Sequence, residues 1–205
     1  METVTDVLAL TDDEAIALAT LSRGEWRAPL PTIDVTNREK LAQAVYRGRR
    51  SLIVRDLAEP DATPAGAAAE VAKRLGTGLR AFLLFADEAG NWVSDGVTVY
   101  LYGPALDAIE VSQTVGAAGV HYFRLAPPPG QWQALTMLAE GVYTDGFADQ
   151  AEQPGRARPA AALLHVVRPD GHRFVRVARG AVTTGRGPVP ARFSSMPEAI
   201  AWLLA

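Results

Sequence analysis

The hydrophobic period of this chain changes near Leu79, and the change limits the folds open to it. Between Thr11 and Leu75 apolar residues recur three or four apart, as on helices. From Ala81 onward they run unbroken or alternate with polar residues, as on strands. Helices grouped ahead of strands predict an α+β protein: a mostly antiparallel central sheet with flanking helices, an N-terminal helical segment, and a C-terminal hairpin plus helix.

Local signals place the elements. Thr11-Asp12-Asp13-Glu14 reads as a capping box, in which Thr11 accepts from the backbone near Glu14 and Glu14 reaches back. Ile16, Ala19 and Thr20 follow at helical spacing, with Leu18 and Leu21 on an adjoining stripe and Gly24 after the end. Pro29-Leu30-Pro31 makes the connection extended. Thr36-Asn37-Arg38-Glu39 reads as a second capping box, and Leu41, Ala44 and Val45 as the buried face of the helix it opens. Arg47, Gly48, Arg49 and Arg50 close that helix, since cations suit its negative end. Ser51–Arg55 reads as a short strand. Pro64 then stands at the first position of a third helix that buries Val71 and Leu75 and stops at Gly76.

In the second region Ala81–Phe85 is apolar throughout, as in a central strand. Gly90-Asn91 marks a turn, and Val97, Val99 and Leu101 alternate with Thr98, Tyr100 and Tyr102. Ile109–Val111 and Gly119–Leu125 read as two further strands, and Pro127-Pro128-Pro129-Gly130 stops the sheet. Trp132, Leu135 and Leu138 begin a helix that Gly141 ends. Residues 144–160 are polar and read as a linker between a body, 1–143, and a tail, 161–205, packed on it. In the tail, Leu163–Arg168 and Arg173–Arg179 flank Pro169-Asp170-Gly171, a hairpin signal. Ser195-Met196-Pro197-Glu198 opens the last helix, which buries Ile200 and Leu203 or Leu204.

Composition excludes several classes of function. No apolar run approaches the roughly 20 residues that cross a bilayer, and the acidic first residues are unlike a secretory leader. The chain has no cysteine, hence no disulfide, thiolate ligand or thiol nucleophile, which fits a reducing cytoplasm. Its basic residues are almost all arginine, with lysine only at positions 40 and 73, and alanine, glycine and proline abound, as in a high-GC bacterium. Charge is split along the chain. Residues 151–205 hold eight arginines against Glu152, Asp170 and Glu198, a net of +5; with −3 overall, residues 1–150 carry −8. Such a split points to a polar partner surface or to a tail attracted to the body.

Nothing in the sequence assembles a catalytic or metal site, and the expectation is a protein that is not an enzyme and needs no cofactor. His121, His165 and His172 stand in or beside strands, with no ligand spacing between them. His165 and His172 would face each other across the hairpin as an incidental pair. Asp12-Asp13-Glu14 suits a helix N-terminus, where negative charge is favoured. Two surfaces are candidates for binding. Trp92, Tyr100 and Tyr102 combine apolar area with polar tips, as partner-binding surfaces do, unless a helix covers them. Arg38, Arg47, Arg49 and Arg50, on a helix at 37–50 between a helix and a strand, outline a winged helix-turn-helix for DNA. The acidity of that region opposes phosphate binding, which leaves DNA regulation as the alternative reading.

The element order from Leu10 to about Tyr143 resembles the EspG-like proteins of type VII (ESX) secretion. The likeness opens with Leu-Thr-Asp-Asp-Glu-Ala and Pro-Leu-Pro, then a helix ending in Arg-Gly-Arg-Arg. The helix at Pro64, the antiparallel strands and the helix around Trp132–Leu138 follow in order. Val167-Arg168-Pro169-Asp170-Gly171-His172-Arg173 is similar to an Arg-rich hairpin late in that family. The resemblance implies a cytoplasmic chaperone that binds a helical secretion substrate. It also implies two similar α/β halves, of which this shorter chain holds one plus a hairpin and helix; a homodimer would supply the other.

Overall fold

The computed structural model describes residues 7–22, 26, 28–75, 78–87, 92–93, 99–116, 118–146, 159–168, 171–185 and 191–205. Ten strands among them form one sheet: β1 Val7–Thr11, β2 Leu79–Ala86, β3 Trp92–Val93, β4 Val99–Tyr102, β5 Val111–Gly116, β6 Val120–Leu125, β7 Ala161–Arg168, β8 Gly171–Ala178, β9 Ala181–Thr184 and β10 Ala191–Phe193. Their order is β1-β6-β5-β4-β2-β7-β8-β9-β10, and β3 joins β2 on the side that β4 also takes. Every strand pairing is antiparallel. Five helices complete the chain: α1 Asp12–Ser22, α2 Arg38–Val54, α3 Gly66–Leu75, α4 Gln131–Thr144 and α5 Met196–Leu204. The protein is α+β, as the change of period predicts.

Alternation along the strands splits the apolar residues between the two faces of the sheet. Phe82, Tyr100, Tyr102, Val111, Val115 and Phe123 share one core with Leu18 of α1, Leu52 of α2 and Val71 of α3. Ala81, Leu83, Phe85, Leu101, Leu164, Val175, Val177 and Val182 point the other way, into a second core with α4 and α5. β2 contributes to both, so its unbroken apolar run is that of a central strand covered on each side. The tail enters the sheet at this strand: Ala81 to Ala86 pair with Val166 to Ala161 of β7. A backbone ladder and a shared core hold it, and Arg179 of the tail meets Asp145 at 3.0 Å.

The capping box of α1 forms, with Glu14 N donating to Thr11 Oγ1 at 3.3 Å and Thr11 N donating to Glu14 Oε2 at 2.9 Å. α2 is capped by Asn37, whose side chain accepts from Glu39 N and Lys40 N, while the Thr36 hydroxyl donates to Asp34. The strand expected at Ser51–Arg55 is instead the end of α2. Leu52 continues the buried line of Ala44 and Gly48 at intervals of four, and packing on that line outweighs the strand preference of Ile53 and Val54. Pro64 bridges to Ala58 ahead of α3 and is not in its first turn. α4 runs through Gly141 to Thr144 and closes at Asp145, with Gly146 N donating back to Gly141 O at 2.7 Å. The strand expected at 109–111 begins at Val111 and extends to Gly116 through polar Ser112, Gln113 and Thr114. β1, β3, β9 and β10 are additions to the expected strands. α5 buries Leu203, with Leu204 exposed. Gly90-Asn91, Val97-Thr98, Pro169-Asp170 and residues 147–158 of the expected linker lie outside the described residues.

Candidate functional site

The three acids that open α1 each hold a different part of the fold. Asp13 takes Arg47 of α2 in a two-point pair, 2.7 and 3.0 Å. Glu14, almost fully buried, accepts from Ser51 Oγ and from Arg55, each at 2.6 Å. Burial alone would raise the Glu14 pKa, but the bonds from Ser51, the Thr11 backbone and Arg55 outweigh it and leave it lowered. Asp12 reaches into the sheet, and its Oδ1 lies 2.6 Å from His121 Nε2.

From Asp12 a chain of hydrogen bonds crosses the core. His121 Nδ1 lies 2.8 Å from Gln113 Nε2, and Gln113 Oε1 accepts from the Tyr102 hydroxyl at 2.7 Å. Burial pushes the Tyr102 hydroxyl well above the usual tyrosine range, so it remains a donor. Each bond fixes the direction of the next. Gln113 must turn its oxygen to Tyr102 and its amide to His121, whose Nδ1 then accepts and whose Nε2–H donates to Asp12. The second Asp12 oxygen accepts from Thr32 N at 2.6 Å and Thr32 Oγ1 at 2.7 Å. Trp26 sits edge-on to His121 at 5.3 Å. No local signal links Asp12, Thr32, Tyr102, Gln113 and His121; only the fold brings them together.

This arrangement keeps His121 neutral. Burial lowers its pKa, and the bond and charge of Asp12 recover only part of the shift. A histidine that resists protonation when folded, yet accepts a proton near pH 6.5 when unfolded, favours the unfolded chain as pH falls. Stability should therefore be fully present above about pH 6.5 and decline below it. Urea midpoints measured from pH 8 to 5 should fall below pH 6.5, and His121→Gln should flatten that limb. An unchanged slope in the variant would contradict the assignment.

The binding residues expected from sequence fare differently. Tyr100 and Tyr102 are each 1% exposed, under α1–α3, so neither forms a partner surface. That expectation is corrected: both rings belong to the core, where the Tyr102 hydroxyl donates to Gln113. Trp92 is placed only by its backbone, paired with Ala86; its side chain lies outside the description. Among the arginines of the DNA reading, Arg47 is tied to Asp13, and Arg50 lies 5.9 Å over the Tyr46 ring. Arg49 is half-buried and Arg38 exposed. With residues 51–54 helical, the outline loses the strand of its wing.

His165 and His172 lie on one face as diagonal neighbours, rings 5.3 Å apart, with Phe174 directly opposite His165. They mark the surface that the sequence reading passed over. Among the described residues, helices pack on one face of each half of the sheet: α1 and α3 on β1, β5 and β6, and α4 and α5 on the opposite face of β7–β9. On the α1–α3 face, β8–β10 are left without a helix among the described residues. His172, Arg176 and Arg192 are exposed there, and Phe174 and Thr183 half-buried. Arg176 pairs with Thr183, and Thr183 with Arg192, so two arginines flank one threonine on this shelf. The opposite face of β1, β6 and β5 also has no helix over it among the described residues, and Tyr122 there is 46% exposed.

No protein-family model matches the chain, and no curated protein matches it. Among the described residues no helix is long and apolar enough to cross a membrane, and no three histidine or acidic side chains cluster as metal ligands.

Proposed function

We propose that the chain is a non-catalytic, cytoplasmic protein-binding protein of the EspG-like kind, and that it takes a helical partner, such as a secretion substrate, on the uncovered face of β8–β10. The half-covered sheet carries this reading. The open face of an antiparallel sheet is normally polar and wetted, whereas this one carries half-buried Phe174 and, among the described residues, no helix over it. A helix from a partner would cover it. The element order that resembles the EspG-like family supports the same reading. The non-catalytic part rests on the His121–Asp12 pair. It has the look of an acid–base dyad, but it is sealed from solvent and its hydrogen bonds are all taken up.

Purification of the full chain from its native host, with light scattering on the eluted species, tests the proposal. A stoichiometric complex with a helical protein is the expected result. A lone chain, or a complex with only a second copy of itself, would overturn it.

A further inference from the structure

Resting on that docking reading, we infer that the β8–β10 shelf selects an acidic amphipathic helix, whose carboxylates meet Arg176 and Arg192 while its apolar stripe lies on Phe174. The first ground is charge. Strands β7–β10 contain no aspartate or glutamate, and neither Arg176 nor Arg192 has an ion pair or hydrogen bond among the described residues. Other arginines of the tail are engaged: Arg173 donates to Trp202 O and lies over its ring, and Arg179 meets Asp145 at 3.0 Å. The cations left over share one face of the sheet, beside exposed His172.

The second ground is spacing. Arg176 and Arg192 stand two strands apart, with Thr183 between them, a separation of about 9.6 Å across the sheet. Acidic residues seven apart on one side of a helix are separated by about 10.5 Å along its axis, so one helix laid across the strands reaches both. Phe174, two residues before Arg176 on β8, offers apolar area about 7 Å away. Nucleic acid fits less well. Two unpaired arginines supply few phosphate contacts, and residues 1–150, at −8, repel a polyanion.

The test uses the ¹⁵N-labelled full chain and three probes: a synthetic 21-residue amphipathic helix with a leucine stripe and glutamates seven apart, its glutamine counterpart, and a duplex DNA of similar length. Amide shifts at Phe174, Arg176, Thr183 and Arg192 should move with the glutamate peptide. The glutamine peptide should bind about three- to tenfold more weakly. R176A combined with R192A should lose a similar factor, and R176K with R192K should largely restore it. Both arginines are exposed, so the rest of the spectrum should stay in place. Equal binding of the two peptides at this face would overturn the acidic preference while leaving the docking reading standing. Shifts confined to other faces, or tighter binding of DNA, would overturn the inference outright.

Discussion

Replacing Gly48 with alanine should lower the melting temperature by roughly 4–8 °C, a large loss for the addition of one methyl group. Gly48 lies where α2 crosses the start of α1. A Cβ built there would stand 1.9 Å from Asp13 O, 2.4 Å from Asp13 C and 2.9 Å from Ala17 Cβ. Two of these are backbone atoms within a helix turn and cannot rotate aside, so the helices must separate. Separation would also stretch the Asp13–Arg47 and Glu14–Arg55 pairs, which bridge the same two helices. Alanine is favoured over glycine in a helix by about 1 kcal/mol. An overpacked crossing with no flexible side chain to yield costs about 3 kcal/mol or more, and outweighs it. Thermal unfolding followed by circular dichroism decides the matter. A melting temperature that stays level or rises would mean that α1 and α2 do not meet at this glycine.

Loss of the Asp12 carboxylate should be more damaging, about 3–5 kcal/mol for Asp12→Ala. That is a large share of the roughly 5–15 kcal/mol that a folded domain commands. The carboxylate receives three donors, His121 Nε2–H, Thr32 N–H and the Thr32 hydroxyl, and alanine leaves the first of them buried without an acceptor. Asp12→Asn is not a mild change either. Every partner of Asp12 donates, so an amide nitrogen must face a donor on one side. Reversing the chain to accommodate it would turn the Gln113 amide toward Tyr102 and cost that hydroxyl its acceptor. Urea titration of both variants measures the loss. Destabilisation of Asp12→Asn by less than about 1 kcal/mol would contradict the assigned bond directions.

Features with a local cause were legible in the sequence. The capping box at Thr11–Glu14, the apolar run of β2, the hairpin strands β7 and β8 and the start of α5 at Ser195 rest on neighbouring residues, and all four stand in the fold. The errors arise where distant residues decide. Ser51–Val54 carries strand-favouring side chains, yet Leu52 faces a core built from seven other elements. Ser112, Gln113 and Thr114 look like loop residues until Gln113 is placed between Tyr102 and His121. Tyr100 and Tyr102 read as a sticky surface because their cover, α1–α3, comes from the far end of the chain. Asp12 and His121 are 109 residues apart, and no local signal joins them. The open shelf was hidden for a similar reason. Arg176 and Arg192 become neighbours only through the register of β9, a four-residue strand with no strong pattern of its own.

A helical partner seated on the open face of β8–β10 would lie within reach of one side chain and far from another. Thr183 lies at the middle of that face, and Met137, 70% exposed, lies on the outer side of α4. A photoreactive phenylalanine analogue introduced at one position or the other, in the full chain in its native host, tests the claim directly. Illumination should yield a covalent adduct with a helical protein from position 183 and none from position 137. An adduct from position 137 with none from position 183 would contradict the account.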